Sequence, residues 1–137
     1  MAVPLPLMTI GALSRRTGCK VETIRYYERI GLLPAPARGR GGHRHYDEGA
    51  LKRLDFVLRA RGLGFPLDSI RGLLDLADGG GRSCAQVERI AARHLKDVRN
   101  KLADILVMEK VLAEMVADCR GGTMPDCPLI EALFNED

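Results

Sequence analysis

Three cysteines carry the strongest chemical signal in this chain, and the 35-residue gap between Cys84 and Cys119 is its key. The residues between them, from about Ala85 to Asp118, contain neither Gly nor Pro and read as one unbroken helix. At the rise of an α-helix, the two thiols stand roughly 50 Å apart. One chain cannot close a site with both. Two antiparallel copies can, and Cys127 then joins them from the loop beyond Cys119.

The register follows from the cysteines. If Cys84 lies beside Cys119 of a second copy, facing residue numbers sum to 203. Val87 then meets Val116, Ala91 meets Leu112, Leu95 meets Met108 and Val98 meets Ile105, all apolar pairs. His94 would face Glu109, and Arg99 would face Asp104. Along one helix, Ala91, Leu95, Val98, Leu102 and Ile105 advance by steps of four and three, the seam spacing of a coiled coil. Glu109 interrupts this seam, where Met108 and Leu112 take over.

Local sequence also prepares the thiols. Ser83-Cys84-Ala85-Gln86 is a capping box, which places Cys84 in a first helical turn whose open N–H groups favour a sulfur anion. Cys127 precedes Pro128, a good first helical residue, so it too is expected at a helix start. Cys119 ends the long helix, and residues 120–126 turn the chain back. Such thiols suit a soft, thiophilic cation. Cys19, in a turn near the N-terminus, reads as a buried small hydrophobe instead. Oxidative pairing of Cys119 with Cys127 is the competing use of the loop.

The elements that must position this site are helical. The chain has 137 residues, enough for a small domain plus a long helix. Aromatics make up 4% and Trp is absent, which fits helices better than a sheet-rich fold. The net charge of +3 conceals an asymmetry. Residues 1–72 hold 13 Lys and Arg against 6 Asp and Glu, whereas residues 73–137 hold 8 against 12. A basic head points to a polyanion, most simply nucleic acid. No apolar run is long enough for a bilayer, and the start does not read as a signal peptide, so the expected compartment is the cytoplasm. There thiols stay reduced and cysteine clusters are more often metal sites than disulfide frameworks.

In the head, Thr9 can cap a helix from Ile10 to Arg16, and Thr17-Gly18-Cys19-Lys20 makes a turn into a second helix, Val21 to about Ile30. This is helix-turn-helix spacing, with the second helix expected in a major groove. Ile24 and Tyr27 suit the core, while Thr23, Arg25 and Tyr26 can meet phosphates or base edges; Tyr27 is kept among the DNA-contact candidates. The run from Ala37 to Tyr46 reads as a basic hairpin, or wing, with Arg38, Arg40, His43, Arg44 and Tyr46 as its candidates for DNA. Asp47 can cap a third helix, Glu48 to Arg61, and Pro66 opens a fourth, to about Leu76. Leu51, Leu54, Phe56, Val57, Phe65, Ile70, Leu73 and Leu74 are the expected core. The fold class is thus all-α with a small β wing. Residues 1–76 form the DNA-binding domain, 77–83 a hinge, 84–118 the dimerisation helix, and 119–137 the metal-binding loop and a short final helix.

Thr9-Ile10-Gly11-Ala12-Leu13, Val21-Glu22-Thr23-Ile24-Arg25-Tyr26-Tyr27-Glu28, Gly31-Leu32-Leu33-Pro34, Arg44-His45-Tyr46 and Leu63-Gly64-Phe65 together resemble the MerR family of transcription activators over essentially the whole chain. The family implies a winged helix-turn-helix, an antiparallel coiled-coil homodimer and a C-terminal metal loop. It also implies a promoter with an over-long spacer, repressed without metal and realigned for RNA polymerase when metal binds. The chain departs from many relatives at His43, where they carry an aromatic residue. The family's copper(I) and silver sensors resemble the loop but carry Ser at the position of Cys84, and a third thiolate favours a divalent ion. His94-Leu95-Lys96-Asp97-Val98-Arg99, Ala103-Asp104 and Cys127-Pro128-Leu129-Ile130 look most like the mercury(II) regulators, which usually have a loop one residue longer. The expectation is therefore a non-enzymatic, Hg(II)-responsive regulator, its metal held by Cys84 of one chain with Cys119 and Cys127 of the other. The same architecture sensing Pb(II), Cd(II) or Zn(II), a sensor of thiol oxidation, and a metal-buffering protein or thiol enzyme are the alternatives.

Overall fold

The computed structural model describes residues 7–38, 44–122 and 129–133. It divides into two compact units at Gly81/Arg82. The first contains α1 (Ile10–Thr17), α2 (Val21–Arg29), β1 (Ala37–Arg38), β2 (Arg44–His45), α3 (Glu48–Gly62) and α4 (Leu67–Asp78). The second contains α5 (Cys84–Arg120) and α6 (Leu129–Leu133). The expected fold class, helical with a two-stranded wing, is what forms.

Helices α1 and α3 start where a side chain satisfies an open backbone N–H. The Ala12 N–H donates to Thr9 Oγ1 at 3.1 Å and opens α1. Gly18, at φ 76°, ends it, its N–H returning to the Ser14 carbonyl at 2.8 Å. Ser14 Oγ donates to the Cys19 carbonyl at 2.6 Å, which pins the turn between α1 and α2. At the start of α3, the Ala50 N–H donates to Asp47 Oδ1 at 2.8 Å. Pro66 stands as the cap of α4 rather than its first residue, and α4 runs on to Asp78, two residues past the expected end.

Behind α2 the chain turns at Ile30-Gly31 and buries Leu32 and Leu33. Two arginines hold the carbonyls this turn leaves free. Arg53 Nε donates to the Leu32 carbonyl at 2.9 Å, and Arg71 Nη2 to the Ile30 carbonyl at 2.5 Å. Arg53 also grips both carboxylate oxygens of Asp78, at 2.8 and 3.2 Å, tying α3 to the end of α4. That guanidinium holds the Asp78 carboxyl below the usual carboxylate range, against a smaller opposing effect of desolvation.

Leu13, Ile24, Leu32, Leu54, Val57, Ile70 and Tyr46 form the fully buried centre. Phe56 does not join it: 40% of it is exposed. Leu54, Val57 and Ala60 set the inward face of α3, and Phe56, one residue before Val57, is turned about 100° from it. Leu51 and Leu58 pack at the core's edge.

In the second unit, Ser83 and Gln86 close a reciprocal capping box, with bonds of 2.9 and 3.2 Å. From there α5 runs 37 residues without interruption, roughly 55 Å. The short α6 packs back against it. Met108, Val111 and Met115 share one face of α5 by their spacing, and Val111 is the helix's buried residue. The stripe Leu95, Val98, Leu102, Ile105, Leu112 and Val116 lies on another face and is 42–52% exposed at every position. Among the described residues, no helix is long and apolar enough to cross a membrane.

Candidate nucleic-acid interface and thiol site

The first unit presents α2 and the wing from one continuous scaffold. Burial of Ile24 and Tyr27 fixes the rotation of α2, so Glu22, Arg25, Tyr26 and Arg29 are exposed and Thr23 is partly covered. Tyr26 stacks on Tyr27 with centroids 6.0 Å apart, and the Arg29 guanidinium lies 5.9 Å from the Tyr26 ring. The exposed Tyr26 ring thus contacts both a core ring and a cation. Sequence reasoning passed over Arg29; its spacing of three from Tyr26 on a helix was the available signal.

In the wing, Ala37 pairs with His45 and Arg38 with Arg44, antiparallel. Met8 and Tyr46 extend the ladder by exchanging two backbone hydrogen bonds of 2.8 Å, so the N-terminal segment braces the hairpin's base. Arg40 and His43, which follow Arg38 and precede Arg44 in sequence, lie outside the described residues.

Two of the predicted DNA-contact residues stand in the core instead of on the surface. Tyr46 is 1% exposed, and its hydroxyl donates to Glu28 Oε1, linking the wing to the last turn of α2. Tyr27 is 8% exposed. Tyr27 stands three residues after the buried Ile24 on α2, and Tyr46 is held by its bridge to Met8, so both rings join the core of the first unit.

The thiols divide cleanly. Cys19 is buried, its N–H donating to Thr17 Oγ1 at 3.2 Å and its thiol pointing to the Lys20 carbonyl at 3.7 Å. Burial pushes that thiol above its ordinary value, so it behaves as the small apolar residue expected of it. Cys84 and Cys119 are free and exposed, one in the first turn of α5 and the other in its last. Because 35 residues are five heptads, both fall on the seam that carries Ala91, Leu95, Val98, Leu102 and Ile105. Two soft donors therefore bracket one heptad seam, which drifts about 20° per heptad around a straight helix and comes to one side when two helices supercoil. Cys127, the third expected ligand, lies outside the described residues. Among the described residues of a single chain, no three His, Cys, Asp or Glu side chains gather closely enough to hold a metal ion.

Comparison with known proteins agrees with this anatomy. The family described as MerR HTH family regulatory protein matches residues 8–77, and that described as MerR, DNA binding matches residues 51–115. The mercuric resistance operon regulatory protein of Shigella flexneri is 45% identical over 131 residues, covering 94% of this chain and 89% of the relative. The HTH-type transcriptional regulator HmrR of Rhizobium leguminosarum bv. viciae is 40% identical over 126 residues, covering 92% and 97%. Among solved structures, the transcription regulator PbrR691 from Ralstonia metallidurans CH34, in complex with lead(II), is 38% identical. It aligns with a TM-score of 0.55 over 93% of this chain and 99% of that one.

Proposed function

Because the chain belongs to the MerR family of helix-turn-helix transcriptional regulators, we propose that it is a mercury(II)-responsive member, acting as an antiparallel homodimer on promoter DNA. The observation that carries the reading is the placement of Cys84 and Cys119. Two exposed thiols sit at opposite ends of one unbroken helix, five heptads apart on the same apolar seam.

Pairing two such helices head to tail covers the stripe and brings Cys84 of one chain beside Cys119 of the other at each end. The donor set fits the metal: exposed cysteine sulfur is the soft ligand that a polarisable divalent ion such as Hg(II) selects over nitrogen or oxygen. In this reading Cys127 adds a third sulfur, giving two equivalent sites per dimer. Similarity to the mercuric resistance regulators supports mercury over lead, cadmium or zinc, and similarity to the lead(II)-bound regulator supports a divalent effector in general.

The protein works by binding and performs no reaction on a substrate; its compartment is the cytoplasm. Arg25, Tyr26 and Thr23 on α2, with Arg38, Arg40, His43 and Arg44 of the wing, contact the operator, supported from inside by Tyr27 and Tyr46. A ligand that spans two chains stabilises one relative position of those chains over another. Because each chain carries its own DNA-binding unit, that preference becomes a difference in how the DNA is bent or twisted. RNA polymerase reads the outcome: repression without metal, activation with it.

A transcription assay with the full-length protein across Hg(II), Pb(II), Cd(II) and Zn(II), paired with metal-to-dimer stoichiometry, tests this. The expected result is induction at the lowest concentration by Hg(II), with two ions per dimer. Switching by peroxide in the absence of any metal would instead establish a thiol-oxidation sensor.

A further inference from the structure

Two polar residues on α5 stand where an apolar stripe needs explaining. Glu109 is exposed and continues the four-three spacing of the seam between Ile105 and Leu112. A carboxylate at such a position loses its water when the stripe is covered, which is costly unless a hydrogen-bonding partner arrives with the covering surface. His94 is beside the same seam, one residue before Leu95. His94 is half-buried, and its Nδ1 is covered by its own chain without a hydrogen-bond partner, so a second chain would meet the ring at Nε2. Within one chain the two cannot meet, because 15 residues of helix separate them by about 22 Å.

We infer that each His94 bonds Glu109 of a second copy of the chain, and that this pair fixes the direction and register of the joined helices. The inference rests on the dimer proposed above and adds the device that selects it. With Cys84 beside Cys119, His94 faces Glu109 twice, once toward each end. Opposite charges also meet in the pairs Arg89 with Glu114 and Arg99 with Asp104, against one like-charged pair, Arg93 with Lys110.

Competing arrangements lose this match. A parallel, in-register pair sets Glu109 against its own copy, two carboxylates in the middle of an apolar seam. Sliding the antiparallel pair by one heptad in one direction sets Glu109 against Val87. In the other direction Glu109 reaches Lys101, but His94 meets Val116, and either slide parts the thiols by about 10 Å. A polar residue within a seam is a known way to trade stability for one register; Glu88, the other carboxylate on this spacing, stands beside Cys84 at the seam's end.

The test is a double-mutant cycle on the full-length protein, with the dimer dissociation constant measured by sedimentation equilibrium. His94→Ala is expected to raise that constant at least tenfold in the natural background, since it strands the carboxylate. In a Glu109→Ala background the same substitution should change it less than twofold. An equal factor in both backgrounds, including no effect in either, overturns the pair while leaving the dimer intact. A natural chain that stays monomeric at micromolar concentration removes the dimer reading itself, so the two failures are told apart.

Discussion

The two units treat the same kind of residue in opposite ways. The first gathers Leu13, Ile24, Leu54, Val57 and Ile70 into a core of its own and ties its loops with arginine-to-carbonyl bonds. The second displays Leu95, Val98, Leu102, Ile105, Leu112 and Val116 along a helix that buries Val111. The lesson is about what each needs to be stable. A long amphipathic helix draws most of its stability from packing its apolar face, so the first unit is self-sufficient and the second is half of something.

That contrast can be broken from the second unit first. Ile105→Asp places a charge in the stripe and is expected to dissociate the dimer and weaken operator binding by about a hundredfold or more, two chains being needed to hold both half-sites. The first unit should be untouched. All three tyrosines, Tyr26, Tyr27 and Tyr46, lie in it and Trp is absent, so the tyrosine band of the near-ultraviolet circular dichroism reports on it alone. An unchanged tyrosine signal beside lost dimerisation is the expected pair of results.

The reverse perturbation is Leu54→Ala. Removing a fully buried leucine side chain should cost about 2–5 kcal/mol, seen as an earlier loss of the tyrosine signal in urea. The dissociation constant of the dimer should stay within a few-fold of its natural value below that transition.

The smallest effect sharpens how the first unit is tied. The Asp78 carboxyl titrates below its ordinary value because Arg53 holds its anion. A depressed carboxylate contributes stability that is present above the unfolded-state value and lost as pH falls through the folded one. Asp78→Asn should therefore lower stability slightly at neutral pH and flatten its fall below about pH 4, the two proteins converging in acid. Because the pair is exposed, the change should be modest, and urea midpoints across pH 2–6 will show it.

Much of this division was legible in the residues, and the limits have physical causes. Thr9, Asp47 and Ser83 declare helix starts because a cap needs only three or four neighbouring residues, and the structure uses all three. The seam was legible because helical spacing repeats along one element. Tyr46 was not, since its burial depends on the Met8 bridge and on Glu28, 38 and 18 residues away. Arg53 and Arg71 were hidden likewise: they serve carbonyls 21 and 41 residues distant, which no local pattern announces. Phe56 misled because hydrophobicity says nothing of rotation, and the inward face of α3 is set by Leu54 and Val57. For the thiol site, position along α5 could be read in advance; the third ligand, Cys127, lies on a segment whose spacing alone does not place it.

The central claim is that each metal site is built from two chains, and complementation tests it most directly. One chain carries Cys84→Ala and the other Cys119→Ala, each alone forming homodimers in which no site keeps both sulfurs. Mixed into a heterodimer, they restore one complete site, from Cys84 of one chain with Cys119 and Cys127 of the other. Titration with Hg(II), followed by the charge-transfer absorption that distinguishes three sulfurs on the ion from two, should then give one three-sulfur site per heterodimer and none in either homodimer, whose sites keep two sulfurs at most. The three-sulfur signature in a homodimer, or no recovery of it in the mixture, would contradict the account.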